Sequence, residues 1–213
     1  SNADRIIINI GGIANITYLP SSSAEKIIGF DTGPGNTLSD YWVGLHKNLA
    51  YDDAGQWAKS GQIIDELLSE MADKESFFKQ IAPKSTGTDH FNSTWLSDFN
   101  ISNYPPNDIQ ATLVELTALS IADSISGLKK PSITCFVCGG GARNLHLIER
   151  IQKRLPTSSI QTTKQLGIDP DYVEAIAFAW LAKQRIDNQP GNIPSSTQAN
   201  RLGILGGVYS GNN

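Results

Sequence analysis

Arg5-Ile6-Ile7-Ile8-Asn9-Ile10-Gly11-Gly12-Ile13-Ala14-Asn15-Ile16-Thr17-Tyr18-Leu19 holds two β-branched runs on either side of a glycine pair. β-Branched residues fit a pleated, half-buried surface and Gly-Gly supplies the reversal, so Arg5 to Ile10 and Ala14 to Leu19 read as an antiparallel hairpin. A third strand is expected at Ile27 to Phe30, ending at Asp31 and the loop Thr32-Gly33-Pro34-Gly35. Asn36 is placed to cap a helix from Thr37 to Leu45, where Leu38, Tyr41, Trp42 and Leu45 recur at helical spacing.

Outward from this segment, residues from about 51 to 104 read as a helical insertion. It holds a helix around Gln62 to Met71, then Pro83-Lys84-Ser85-Thr86-Gly87 and an aromatic stretch to Phe99. Asn107 or Asp108 is expected to cap a long helix through Ser126, with Ile109, Leu113, Leu116 and Ile125 on an apolar face. Ser132 to Cys138 reads as a buried strand stopping at Gly139-Gly140-Gly141, and Asn144 opens a helix to about Leu155. A short β-like run, Ser159 to Thr162, precedes an Ala-rich helix from Asp171 to Ile186. Strands alternating with glycine turns and helices make an α/β domain, a mixed sheet with flanking helices, spanning residues 4–188. Residues 189–213, rich in Pro, Gly, Asn and Ser, read as a tail with a short strand near Leu202 to Val208. Ser1-Asn2-Ala3 reads as an expression scar joined to the middle of a longer protein.

Composition narrows the function classes. Of the 213 residues 39% are hydrophobic and 18% charged, which suits a folded globular chain. The net charge of -4 with both signs interspersed leaves no extended basic surface for nucleic acid or an anionic membrane. No apolar run approaches the roughly 18 to 20 residues of a membrane span, so a cytoplasmic location is expected. Cys135 and Cys138 form a C-x-x-C, but on a strand residues three apart face opposite ways, so two buried thiols are expected rather than a redox or zinc site. His46, His90 and His146 have no metal-ligand spacing, and no side-chain metal site is assigned.

Three segments carry a strand into a turn without bulky side chains: Gly11-Gly12 with Asn15, Gly33 and Gly35 with Asn36, and Gly139-Gly140-Gly141 with Asn144. Such turns bring backbone N–H groups close to an anion, and a following helix N-terminus adds a favourable dipole. Any one of them is more often only a tight turn, and none matches the Walker loop or the dinucleotide fingerprint. Taken in order they point to a phosphate and nucleotide cleft.

That order resembles the second lobe of the actin, hexokinase and Hsp70 superfamily, a ribonuclease H-like fold. The wording is most similar to the anhydro-N-acetylmuramic acid kinase family. It is carried by Asn9-Ile10-Gly11-Gly12-Ile13-Ala14-Asn15-Ile16-Thr17, Gly29-Phe30-Asp31-Thr32-Gly33-Pro34-Gly35-Asn36 and Pro83-Lys84-Ser85-Thr86-Gly87. Asp108-Ile109-Gln110-Ala111-Thr112-Leu113, Cys138-Gly139-Gly140-Gly141-Ala142-Arg143-Asn144 and Glu174-Ala175-Ile176-Ala177-Phe178-Ala179-Trp180 continue it to the end of the domain.

The resemblance implies an enzyme of peptidoglycan recycling that opens the 1,6-anhydro bridge of its amino sugar and phosphorylates O6 from ATP. Asp31 falls on the family's catalytic aspartate and would take a proton from a water attacking C1, with magnesium entering alongside ATP. Gly11, Gly12 and Asn15 would line the phosphates, while Gly139, Gly140, Gly141 and Asn144 would meet adenosine and ribose. Glu174 corresponds to an acid that contacts the sugar, and Lys84, with Ser85 and Thr86, is assigned to an anionic lactyl group or phosphate. From the residues alone, Asp31 is also read as a turn or cap residue, Glu174 as a solvated helix acid and Lys84 as a solvated lysine. Trp42 and Trp180 are read as core, whereas Trp57 and Trp95 stay open between packing and sugar stacking.

The family's proteins begin with a lobe carrying a Gly-Thr-Ser phosphate loop, which nothing in this sequence matches. The phosphate site is therefore half a site, and the expectation is a chain inactive alone, partnered by a missing amino-terminal lobe and prone to form a homo-oligomer. The competing readings are a binding or regulatory module that keeps the lobe without the chemistry, and a related kinase acting on another sugar.

Overall fold

In the computed structural model, which describes residues 3–130 and 132–209, the hairpin is the centre of a five-stranded mixed sheet. β1 (Arg5–Ile10) and β2 (Ile13–Leu19) pair antiparallel, and β3 (Ile28–Pro34) joins the outer edge of β2. β4 (Thr134–Cys138) and β5 (Ser159–Thr162) add in parallel on the other side of β1, giving the order β3-β2-β1-β4-β5. The expected mixed α/β sheet with flanking helices is thus present. The expected scar at residues 1–2 and the last four residues of the expected tail lie outside the described residues.

β3 runs through Asp31 and the expected loop to Pro34, so Asp31 sits inside a strand and not at its end. A bulge makes this possible. Asn15 pairs with Asp31 and Ala14 with Gly33, which leaves Thr32 as an extra residue whose hydroxyl bonds the Ala14 carbonyl at 3.2 Å. The strand passes directly into α1 (Thr37–Lys47), and the first N–H groups of that helix are satisfied without a side-chain cap. Gly35 and Thr37 donate to Gly12 O and Asn36 donates to Gly11 O at 2.8 to 3.1 Å.

Between α1 and the next long helix lie α2 (Gln56–Lys59), α3 (Asp65–Lys74) and α4 (Ser93–Ser97). α5 (Pro106–Ser126) begins with Pro106 at its first position, where a missing N–H costs nothing. The expected caps Asn107 and Asp108 instead bind the insertion, through Ser60 O and the Gln62 N–H. α5 is buried nearly all round because it separates two cores. Val114, Ala118, Ile121 and Ile125 pack under the sheet, while Ile109, Leu113 and Leu116 pack with Trp42, Met71, Phe77 and Phe91. Glu115, 1% exposed on this helix, is paired by Arg150 and Arg154 of α6 (Leu145–Arg154).

α7 (Val173–Ile186) has no buried residue, and Trp180 is half-exposed, not core. Trp57 and Trp95 pack against the second core. The strand expected at 202–208 does not form; the described tail instead carries α8 (Pro194–Thr197), which lies against β3 through Ser195 Oγ donating to Ile27 O. No helix among the described residues is long and apolar enough to cross a membrane.

Candidate functional site

Alternation along the strands sets the first cavity. The buried residues of β2 and β3, such as Ile16 and Phe30, alternate with the half-buried Asn15, Thr17, Gly29 and Asp31. Register puts Asn9, Asn15 and Asp31 side by side across three neighbouring strands. Asn15, Thr17 and Asp31 line a cavity of about 380 Å³, closed by Pro83 to Ser85 and by Ser196 to Gln198.

Asp31 is held by the loop that follows Pro83. Its N–H donates to Lys84 O at 3.0 Å, and its Oδ2 accepts from Ser85 Oγ at 2.8 Å and from the Thr86 N–H at 2.9 Å. Among the described residues no donor reaches Oδ1, and the Asn15 carboxamide has no hydrogen-bonding partner. One carboxylate oxygen is thus anchored and the other is unbonded among the described residues.

Lys84 lines the same cavity, with its ammonium turned to backbone carbonyls. Its ammonium donates to Phe77 O at 2.9 Å and Phe78 O at 3.3 Å and lies 4.4 Å over the Phe77 ring, while burial lowers its pKa. Two of its three donors are thus spent on anchoring the loop, which lines the Asp31 cavity. Ser85 and Thr86 of the same segment hold Asp31.

A second cavity, about 300 Å³, gathers Asn36, Gly140 and Asn144 with Asp40, Tyr51, Asp52 and Asp53. The Asn144 side chain accepts from the Leu147 N–H and caps α6, which leaves its amide nitrogen for a ligand. Asp52 spends both carboxylate oxygens on the Trp57 and Ala58 N–H groups, starting α2. Asp40 is pushed up to about 6, first by burial and then by the charge of Asp52. These insertion residues were not singled out in the sequence, because nothing local links 51–54 to the turn at 139–141.

Gly33 and Gly35 face neither cavity. Gly33, at φ 148°, leaves a would-be Cβ 2.6 Å from the Phe78 ring, and Gly35 leaves one 2.3 Å from Gly11 O. Both serve close packing of the strand-to-helix turn, and the Gly35 and Asn36 N–H groups are already taken. In the hairpin turn Gly11 donates to Ile13 O, whereas the Gly12 N–H has no acceptor among the described residues. Gly139 and Gly141 press against Ile10 of β1. Glu174, exposed in the first turn of α7, lines neither cavity.

The family model for anhydro-N-acetylmuramic acid kinase matches residues 1–211. Proteins of that name from Coxiella burnetii and Saccharophagus degradans are 48% and 49% identical, with 98% and 99% of this chain covered. The Pasteurella multocida protein is 46% identical over 98% of this chain. The matches take in 56%, 56% and 55% of those proteins, so the chain spans about half the length of the curated relatives it matches. Among solved structures, the activator of the 2-hydroxyisocaproyl-CoA dehydratase from Clostridium difficile with bound ADPNP aligns at TM-score 0.48 and 16% identity, covering 79% of this chain and 55% of that one. The Acidaminococcus fermentans (R)-2-hydroxyglutaryl-CoA dehydratase component A aligns at 0.47 and 16%, covering 74% and 54%.

Proposed function

The chain belongs to the anhydro-N-acetylmuramic acid kinase family, and on that premise we propose that it forms one lobe of an ATP-dependent kinase of anhydro-N-acetylmuramic acid, acting in cytoplasmic peptidoglycan recycling. The observation that carries this reading is Asp31, anchored through Oδ2 by Ser85 and Thr86 with Oδ1 unbonded beside Asn15. As general base Asp31 takes a proton from a water whose oxygen bonds to C1 of the sugar. The C1–O6 bond breaks, O6 bonds to the γ-phosphorus of ATP, and ADP leaves. The product is N-acetylmuramic acid 6-phosphate, and the proton on Asp31 returns to solvent.

The acidic lining of the second cavity offers acceptors to ribose hydroxyls and an adenine amine, and the Gly12 N–H and Asn15 carboxamide offer donors to phosphate oxygens. Magnesium entering with ATP would supply charge neutralisation for the transferred group. Glu174 is kept in this reading as a sugar contact carried over from the family, although it lines neither cavity.

The test is mass detection of the 6-phosphate after incubation with ATP and anhydro-N-acetylmuramic acid. It compares this chain with a form extended upstream to the relatives' length. Product is expected from the extended form alone and falls about 100- to 10,000-fold in Asp31→Asn. No product from the extended form would overturn the kinase reading, and product from the 213-residue chain would overturn the half-site argument.

A further inference from the structure

Two side chains outside both cavities, His90 and Glu75, are joined to the loop that grips Asp31. Thr86, whose N–H donates to Asp31 Oδ2, has its hydroxyl 3.3 Å from His90 Nδ1. On the far side of the ring His90 Nε2 lies 3.1 Å from Glu75 Oε2. Glu75 is 6% exposed and its other two partners are donors, Trp95 Nε1 to Oε2 and the Phe77 N–H to Oε1, each at 2.7 Å. A carboxylate ringed by donors accepts, so His90 Nε2 donates to Glu75, and the opposite ring nitrogen, Nδ1, pairs with the Thr86 hydroxyl. Stacking fixes the ring itself: its centroid is 4.5 Å from that of fully buried Phe91, with 3° between the planes. The same short segment holds the loop a second time, through the Lys84 ammonium on Phe77 O and Phe78 O.

A loop presenting donors to a catalytic carboxylate positions that carboxylate only as well as the loop is itself tied down. We infer that His90 is a positioning residue for Asp31, linking Thr86 to the buried Glu75 so that Oδ2 stays anchored and Oδ1 faces the sugar. The inference rests on the kinase reading of Asp31. No proton travels along the link; its effect is geometric, and a carboxylate displaced by about 1 Å loses on the order of a hundredfold in rate.

His90→Phe keeps the ring and its stacking while removing both nitrogens, and Thr86→Val removes the hydroxyl while keeping the N–H. In the extended form each is expected to lower kcat about ten- to a hundredfold with KM for ATP unchanged. The double variant is expected to be no worse than the weaker single variant, because both remove one link. A readout independent of activity is amide hydrogen exchange in the 213-residue chain. In either variant exchange at the Thr86 N–H is expected to rise about tenfold or more, with Ile8 in β1 unchanged. Unchanged Thr86 exchange, or strictly additive losses of kcat, overturns the inference. A parent without kinase activity whose Thr86 amide still responds to His90→Phe rejects the kinase reading and keeps the link. Should His90→Phe fail to fold, Thr86→Val, a change at a half-exposed loop position, decides both readouts alone.

Discussion

Asp40 and Asp31 are both carboxylates beside candidate cavities, but their surroundings separate them. Asp31 has two donors on one oxygen, while Asp40 has burial and a like charge, which raise it to about 6 from the ordinary 3.8. A raised folded pKa means that the folded state holds the proton more tightly. Asp40 therefore costs nothing below about pH 4, costs progressively more as pH rises to about 6, and costs its full amount above that. For a half-buried group this is about 1–2 kcal/mol after solvent screening is taken into account. Asp40→Asn is expected to stabilise the chain by that amount at pH 7.5 and by almost nothing at pH 4, measured by urea unfolding at both. An equal change at the two pH values would show that Asp40 does not titrate in this way. The two thiols follow the same physics with no functional consequence. Burial alone pushes Cys135 up to about 12 and Cys138 to about 11, so neither forms the thiolate that redox or metal chemistry needs.

At the scale of elements, the turn after β4 has a sharper requirement for glycine than the one after β5. Gly139 has φ 78° and a would-be Cβ 2.4 Å from Asn9 Oδ1 and 2.8 Å from Ile10 O, whereas Gly167 has φ 80° and nothing within 4 Å. Alanine pays the left-handed cost of about 1 kcal/mol at both, and at position 139 the clash with β1 brings the total to about 3 kcal/mol. Gly167→Ala is expected to lower Tm by about 2–4 °C and Gly139→Ala by about 6–12 °C in thermal unfolding. Equal drops would mean that β1 yields to the added methyl. The hairpin, β4, α6 and α7 were legible because period and punctuation agree along them. β3 was read too short because Gly-Pro-Gly signals a turn locally, while the bulge at Thr32 and the pairing with β2 carry the strand onward. α5 was read as amphipathic because a helix between two cores was not foreseen. The grip of Ser85 and Thr86 on Asp31 spans 54 and 55 residues, and no local pattern encodes such a contact. The motif marks both segments as chemical, and the structure adds the direct bonds from Ser85 and Thr86 to Asp31.

The whole molecule buries two cores on either side of α5 but leaves α7 and the tail outside both. Phe178 is 64% exposed, Trp180 50% and Ile186 72%, and the tail adds Leu202, Leu205 and Val208, all exposed. The two segments touch each other, Arg185 Nε donating to Gly206 O at 3.0 Å with Leu181 and Leu205 both beside Gly191, so their apolar side chains are neighbours on one surface. Folded monomers rarely leave such a patch above a few hundred Å² in water, and an uncovered one finds another copy of itself. The 213-residue chain is therefore expected to self-associate, its weight-average mass in light scattering rising above 23.0 kDa with concentration and further with added sulfate. Phe178→Ser with Trp180→Ser is expected to return the mass to that of the monomer. It should also leave Tm nearly unchanged, since neither side chain contributes to a core. A mass fixed at 23.0 kDa across concentrations in the parent would show that the α7 surface is not adhesive. Association that survives the double serine variant would place the contact elsewhere, with the half-buried Asp31 cavity face the next region to change.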